Sequence, residues 1–575
     1  VTHGFLLDDD GDSLRPLADA IVDRTDGCLL DYQLAQEGGQ GVFLSICSPG
    51  TEEVVILFDW GVESNELSNG WGEAAADALF SLLVREELLD PTLDQLNLPY
   101  HFIGHSFGTA VTSEVVERFA AFDIPVDHLT YLDPHDFDQD NLPVDGEQRL
   151  FTLGLPQGYG ATVWDNVAFA DVYYQTRGLN GALIPDVGVP LGRPIPGAYN
   201  RLLDGSDELP ESYALLDAAG DHSYVWTGFY LGTVLGQLPP DSPVPAQPTN
   251  YASTGYAFSR VRSGQALRPI PVLYSGQDHV YSEPGLRIRA NIKQKPAWTP
   301  NQIVNGDFEA IGSRTLVNDV VPGWSHHGGG GDGDVNPRDN GNDYLELSDG
   351  EGEQIREHNY LYVPAEKGNL YLEFDVRRID PSNNDVLEVR LGDNRGTGPS
   401  QVLARLALSD TDASFARRCV SIPNSLRNQS HTLAFEIDPN GTAVNSVVRI
   451  DNLSFASKCS RTSNTTRTVQ FANASFAVHE ATGTAVIEVR LSDPSDELVA
   501  VEFATKSGSA KASIDYTETA QSVIFSPGES VAYVEVPIQQ DNQTAEPTET
   551  VKLNLRLPRG AKLGKLKAAT LSISG

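Results

Sequence analysis

Methionine is absent from the 575 residues, and cysteine occurs only four times. The chain begins at Val1, so the expectation is a product that is not a complete translation, and a secretory leader removed from it would leave no trace. Positive charge is scarce: 40 Lys and Arg stand against 79 Asp and Glu, for a formal net charge of −39. A chain this acidic repels phosphate backbones, which excludes nucleic acid as a partner. There is no run of about 18 uncharged apolar residues, so no transmembrane segment is expected. The cysteines are spaced too widely for CxxC zinc knuckles. Cys28 with Cys47, and Cys419 with Cys459, fall two by two inside single proposed domains. Two local disulfides would fit an oxidising, extracellular setting, and buried free thiols are the alternative.

What is present argues for a folded, multidomain chain. The apolar fraction is 40% and the charged fraction 21%, outside the range of disordered sequences. At roughly 100–200 residues per domain, three or four domains are expected. Residues 1–235 alternate apolar strands with helical stretches, which reads as a mostly parallel sheet with helices on both faces. Residues 236–300 open with GQLPPDSPVPAQPTN and read as a linker or an extension of the first domain. Beyond them, short runs alternate apolar and polar residues between Gly, Asn, Asp and Pro turns, as in Leu372-Glu373-Phe374-Asp375-Val376. That pattern predicts two β-sandwiches, 301–460 and 467–575.

The motif with chemical content is Gly104-His105-Ser106-Phe107-Gly108. It follows the apolar YHFI and opens the helical TAVTSEVVERFAAF. In a strand–turn–helix elbow this G-x-S-x-G places the serine hydroxyl at the carboxyl edge of a sheet. A serine hydroxyl needs a histidine to take its proton and an acid to orient that histidine. In chain order Ser, acid, His, the acid is Asp133, at the end of LTYLDP, with Asp171 as runner-up. The base is chosen among His135, His222 and His279. His222, in GDHSY just before an apolar helical stretch, stands where a loop ahead of a last helix would put it. His105 adjoins the serine and is expected to point elsewhere. Oxyanion donors are expected from the backbone N–H of Phe107 and of Phe5, which follows a Thr2-His3-Gly4 turn. Leu179 to Pro196 is apolar and rich in Gly and Pro, and reads as a lid or as a surface loop.

THGF, then FDW, HFIGHSFGTA, YLDP and GDHSYVW together resemble the pancreatic-type lipases and their bacterial relatives, of the α/β-hydrolase class. The resemblance covers about 220 residues. It implies Ser106 as nucleophile, Asp133 as acid, His222 as base and Phe5 as an oxyanion donor, with no cofactor needed for catalysis. Two segments depart from it: Asp26 to Pro49, which looks like an inserted hairpin, and Arg177 to Asp221.

Residues 301–460 contain VNGDFE, PGW and a closing RIDNL, and resemble a jelly-roll carbohydrate-binding module. This implies a structural calcium with Glu309 and Asp451 as its carboxylates. Residues 467–575, with FANASFAVHE, SIDYT and FSPGE, resemble a Calx-beta domain. Calcium ligands there would be Glu480, Asp515, Asp541, Glu546 and Glu549, carboxylates suited to a hard cation.

The leading expectation is a secreted serine carboxylic-ester hydrolase, a lipase or esterase, working through an acyl-enzyme on a lipid or other ester. Its β-modules would attach it to a polysaccharide or a cell surface. A polyester depolymerase, acetylesterase or amidase with the same triad is one alternative, since a triad fixes chemistry and not substrate. A non-enzymatic adhesion protein on a hydrolase scaffold is the other.

Overall fold

The computed structural model describes residues 1–4, 14–33, 42–43, 53–61, 64, 70–92, 98–135, 160–176, 192–195, 197–203, 218–240, 251–261, 268–269, 295–296, 298–308, 322–327, 344–348, 355–379, 386–393, 401–407, 414–438, 447–458, 467–492, 499–525, 531–539 and 547–574. The chain divides into two compact units, one of residues 1–278 with 289–462, the other of 279–288 with 463–575.

The first unit opens with helix α1 (Arg15–Thr25), strands β1 (Cys28–Gln33), β2 (Val42–Phe43) and β3 (Val54–Asp59), and helix α2 (Trp71–Arg85). Strand β4 (His101–His105), helix α3 (Gly108–Ala121), β5 (Val126–Leu132), β6 (Val167–Tyr174) and β7 (Tyr199–Leu202) follow. Two short helices close this part, α4 (Ala218–Tyr224) and α5 (Leu231–Leu235), with the π-helical turn Val225–Tyr230 between them. Strands β4 to β7 pair in parallel in sequence order, and β1 pairs in parallel with β3. Thr2 bridges Phe58 on one side and Gly104 on the other, both in parallel, and so joins the two groups of strands. The segment expected to be an inserted hairpin is therefore part of the sheet: β1 and β2 are antiparallel, but β1 lies along the whole of β3.

The strands read as continuous apolar runs because both faces are covered. Ile56, Phe58, Phe102, Leu129 and Tyr131 face a core shared with α2 and α3. The alternate residues Val55, Leu57, Ile103, Leu132 and Tyr173 face a second core with α1, α5 and the π-turn. Each such side chain contributes about 1.5–3 kcal/mol when removed from water. Residues 251–258 form two 3-10 turns packed on this second face, where the Tyr256 N–H donates to Thr233 Oγ1 at 2.9 Å and Gly255 N–H to the Tyr173 hydroxyl at 2.9 Å. This part of 236–300 is an extension of the sheet domain.

The same unit carries an antiparallel sandwich of β8 (Trp324–His327), β9 (Leu345–Ser348), β10 (Ile355–Val363), β11 (Tyr371–Arg378), β12 (Val386–Asp393), β13 (Gln401–Ala407), β14 (Ala416–Ser421), β15 (Gln429–Asp438) and β16 (Val447–Ala456). One sheet runs β13-β12-β15-β10-β8 and the other β14-β11-β16-β9. Leu361 and Val363 of β10 point into the sandwich, while Tyr362 between them joins the core around α2 and α3. Its ring meets Phe80 and Phe122 edge-on, each at 5.5 Å. Trp298 completes the cluster, its backbone N–H donating to Glu117 Oε1 at 3.0 Å and its ring under the buried Arg118 guanidinium at 5.1 Å. Arg118 is held by Asp77 at 2.6 Å.

The second unit is a sandwich of β17 (Thr468–Phe471), β18 (Ser475–His479), β19 (Thr484–Leu491), β20 (Val499–Ser507), β21 (Ala520–Phe525), β22 (Val531–Pro537), β23 (Glu549–Arg559), β24 (Lys562–Leu563) and β25 (Ala568–Ser574). Its sheets run β22-β19-β17-β24 and β18-β25-β23-β20-β21. Period-two alternation closes its own core of Val469, Phe471, Ile487, Phe503, Val534 and Leu553. Among the described residues, no helix is long and apolar enough to cross a membrane.

Candidate active site

Three adjacent parallel strands end together, and each is followed by a polar residue: Ser106 after β4, Asp133 after β5 and Gln175 after β6. In open parallel sheets this carboxyl edge is where reactive groups and ligands collect. Ser106 has φ 55°, a left-handed conformation that a non-glycine residue holds only under constraint from its surroundings. Its N–H donates to Leu132 O at 3.0 Å, and its carbonyl accepts from Thr109 N–H and from Thr109 Oγ1 at 2.6 Å. Strand end, turn and helix start are thereby fixed to one another, and Phe107 is the N-terminal cap residue of α3.

Asp133 is fully buried and also left-handed, at φ 46°. Its Oδ2 lies 2.6 Å from His222 Nδ1. A carboxylate only accepts, so Nδ1 carries the proton and Nε2 keeps its lone pair, the tautomer a general base requires. Burial, with a contribution from His135, pushes the His222 imidazolium down to about 3 and favours the neutral ring. His222 sits within helix α4, whereas the sequence pattern places it in a loop. The apolar run after it continues that helix through the π-turn.

His105 packs against His222. Its ring centroid is 4.4 Å from that of His222, and its Nε2 is 3.2 Å from the His222 carbonyl oxygen. The reason is strand alternation: His105 shares the face of Ile103, the face on which the α4–α5 region packs. Burial, and next the neighbouring His222, hold His105 well below the ordinary histidine value. His135 is also near, its ring centroid 6.2 Å from that of His222. Asp171, the alternative acid, is used elsewhere: it accepts from His128 Nε2 at 2.9 Å, Thr130 Oγ1 at 2.6 Å and the Tyr173 hydroxyl at 2.9 Å. It pairs with Thr130 in register, inside the sheet and short of the edge where Asp133 lies. His279, the third candidate base, lies outside the described residues.

The turn at the start of the chain covers the serine. A Cβ on Gly4 would stand 2.8 Å from both Ser106 Oγ and Phe107 N and would collide with Ser106 Cβ, so only glycine leaves the space above the hydroxyl open. This turn is pinned by His3, whose Nε2 meets Asp59 Oδ1 at 2.8 Å and whose Nδ1 meets the Gly4 carbonyl at 2.8 Å. Trp60 Nε1–H donates to the His3 carbonyl at 2.9 Å, and Gln33 Nε2–H donates to Asp59 Oδ2 at 3.0 Å. Burial acts to raise the Asp59 carboxyl, but hydrogen bonds from His3, Gly61 and Gln33 outweigh it and leave Asp59 below the usual value. Phe5, the expected second oxyanion donor, lies outside the described residues. Sequence reasoning missed His3, Asp59, His105 and Gln175. Asp59, His105 and Gln175 stand as polar residues at the carboxyl ends of apolar strands, the one local signal they carry.

The remaining expected ligands are scattered. Asp451 is buried on β16 and accepts from Asn452 N–H at 2.7 Å, and Glu309 lies outside the described residues. Glu480 and Asp515 are both buried. The turn after Glu480 and the loop of Asp515 both meet the end of β22, through Ile538 N–H to Gly483 O and Gln539 N–H to Asp515 O, each at 2.9 Å. Glu549 begins β23, and Asp541 and Glu546 lie outside the described residues. Among the described residues no three His, Cys, Asp or Glu converge as a metal site. Cys28 and Cys419 are each disulfide-bonded, while Cys47 and Cys459 lie outside the described residues.

Residues 463–574 match the model of the Calx-beta domain. Among solved structures, the apo form of the Calx CBD1 domain is 24% identical, with a TM-score of 0.18, over 19% of this chain and 96% of that one. A family 11 carbohydrate-binding module from Clostridium thermocellum is 14% identical, with a TM-score of 0.17, over 24% of this chain and 92% of that one. A glycoside hydrolase domain, Endo-D, from Streptococcus pneumoniae R6 is 14% identical, with a TM-score of 0.20, over 43% of this chain and 37% of that one. No curated protein matches the chain.

Proposed function

We propose that the first unit is a serine ester hydrolase of the α/β-hydrolase class, with Ser106 as nucleophile, His222 as base and Asp133 as acid. The observation that carries the reading is the 2.6 Å bond from His222 Nδ1 to a buried Asp133, on the strand end next to the one that bears the strained Ser106. Ser106 Oγ attacks the ester carbonyl as His222 Nε2 takes its proton, and the oxyanion is met by the Phe107 N–H, with Phe5 N–H as the second donor. His222 then protonates the departing alcohol, and water, deprotonated by the same ring, releases the acid from Ser106. Asp133 stabilises the imidazolium throughout. Of the segment 179–196, read as a lid or as a surface loop, all but residues 192–195 lies outside the described residues.

The two sandwiches are proposed as attachment modules for a polysaccharide or a cell surface, and the disulfides favour a secreted enzyme. A calcium ion bound for structural reasons is proposed for the second unit, with the buried Glu480 and Asp515 among its candidate ligands.

The test is a series of p-nitrophenyl esters of increasing acyl length on the full chain and on Ser106→Ala. The wild type is expected to hydrolyse at least one length, and Ser106→Ala to lose at least about 1,000-fold in kcat. Activity retained in Ser106→Ala, or absent from the wild type at every length, overturns the reading.

A further inference from the structure

Asp133 is clamped by more than its histidine. Gln175, fully buried just past the end of β6, donates its backbone N–H to Asp133 Oδ1 at 2.8 Å and its side-chain Nε2–H to Asp133 Oδ2 at 2.7 Å. The second bond falls on the oxygen that also receives His222 Nδ1–H. Because a carboxylate has no proton to give, the amide must present its nitrogen, so the orientation of Gln175 is set by chemistry. The chain closes over the other oxygen at Gly192, whose N–H bonds to the Gln175 carbonyl at 2.8 Å. A Cβ at Gly192 would overlap Asp133 Oδ1, so a residue with a side chain cannot occupy this position without displacing the acid.

We infer that Gln175 is a positioning residue for the acid of the triad: its two donors fix the plane of the Asp133 carboxylate so that Oδ2 meets His222 Nδ1–H. This rests on the proposed triad. A carboxylate with one free oxygen turns about its last torsion and offers His222 a shifting partner. A carboxylate held at both oxygens holds the ring, and with it the direction of the Nε2 lone pair. The amide suits this task because it is neutral: it orients the carboxylate while leaving its full negative charge for the imidazolium that forms during the reaction. A Lys or Arg in its place would orient Asp133 and cancel that charge.

The test uses the full chain with Gln175→Glu and Gln175→Leu, measuring kcat and KM on the best p-nitrophenyl ester between pH 5 and 9, with thermal unfolding to select folded variants. Gln175→Leu removes one donor to a charged acceptor, and kcat is expected to fall on the order of 10–100-fold with KM unchanged. Gln175→Glu keeps the length but can donate only when protonated. Burial and the adjacent Asp133 charge raise the new carboxyl's pKa, so the donor is present at low pH and lost as pH rises through it. The ratio of variant to wild-type kcat is therefore expected to be near one at the acid end and to fall about 10–100-fold at the alkaline end. A ratio that stays flat with pH, or a loss confined to KM, overturns the role of Gln175. A wild type without ester hydrolysis, or an equally active Ser106→Ala, would instead overturn the triad itself, so the two failures are told apart.

Discussion

Each sandwich carries a tyrosine on the outer side of a strand, and the two have opposite fates. Tyr362 of β10 is 5% exposed, while Tyr533 of β22 is 64% exposed. Both strands obey the same alternation, with neighbours such as Leu361 and Val534 turned into their own cores. The difference is that α2 and Trp298 lie against the outer face of β10, and the first sandwich shares a core with the parallel sheet. The second closes its core alone and counts as a separate unit. A buried outward aromatic on a regular strand thus marks where the first sandwich is fused to the parallel sheet.

The largest expected contrast is in stability. Tyr362→Ala should lose about 3–5 kcal/mol of unfolding free energy for the first unit, as aromatic truncations in cores do. Tyr533→Ala should change the second by no more than about 0.5 kcal/mol. Equal losses in urea melts of the full chain would break the comparison. Calcium should act on the second unit: at a concentration about 100 times Kd, a single site adds about 2.7 kcal/mol. Melting with and without a chelator, together with metal analysis after dialysis, measures this, and identical melts with no bound metal would remove calcium from the account. Smallest is the effect of pH on the first unit. A base is active when neutral, so activity is lost as pH falls through its pKa, and a lowered pKa moves that loss to more acid pH. With His222 pushed down to about 3, activity should persist at pH 5, where a base of ordinary value about 6.5 would have lost about 30-fold. An acid limb of kcat/KM at 6.5 or above would show that Asp133 outweighs burial at His222.

How much of this could be read beforehand differs by kind of information. The elbow around Ser106 is local, because strand, turn and helix succeed one another within about 20 residues, so its motif and setting are legible together. Strand β6 is legible in the same way, since a strand buried on both faces is an apolar run with clear ends. The helix around His222 was not, because Gly220 and Asp221 mimic a loop while the apolar residues after them supply the packing that holds a helix there. The partners of Asp133 and His222 were hidden for another reason. Gln175 reaches Asp133 because β5 and β6 are neighbours, and His105 reaches His222 because of which face α4 covers, and neither fact has a counterpart in local sequence. Likewise β1 looked like an insertion because its pairing with β3 spans a stretch without periodicity.

Trp298, laid between Arg118 and the Phe80–Phe122 pair, also changes where the molecule can be divided. The proline-rich stretch at 241–250 looks like a natural cut, yet a fragment ending there would leave Phe80 and Phe122 uncovered by Trp298 and Tyr362. A bare aromatic patch of this kind drives self-association. The shortest fragment expected to stay dispersed in solution therefore runs through β16, and exchange of the first sandwich for another module would have to bring its own cover for α2.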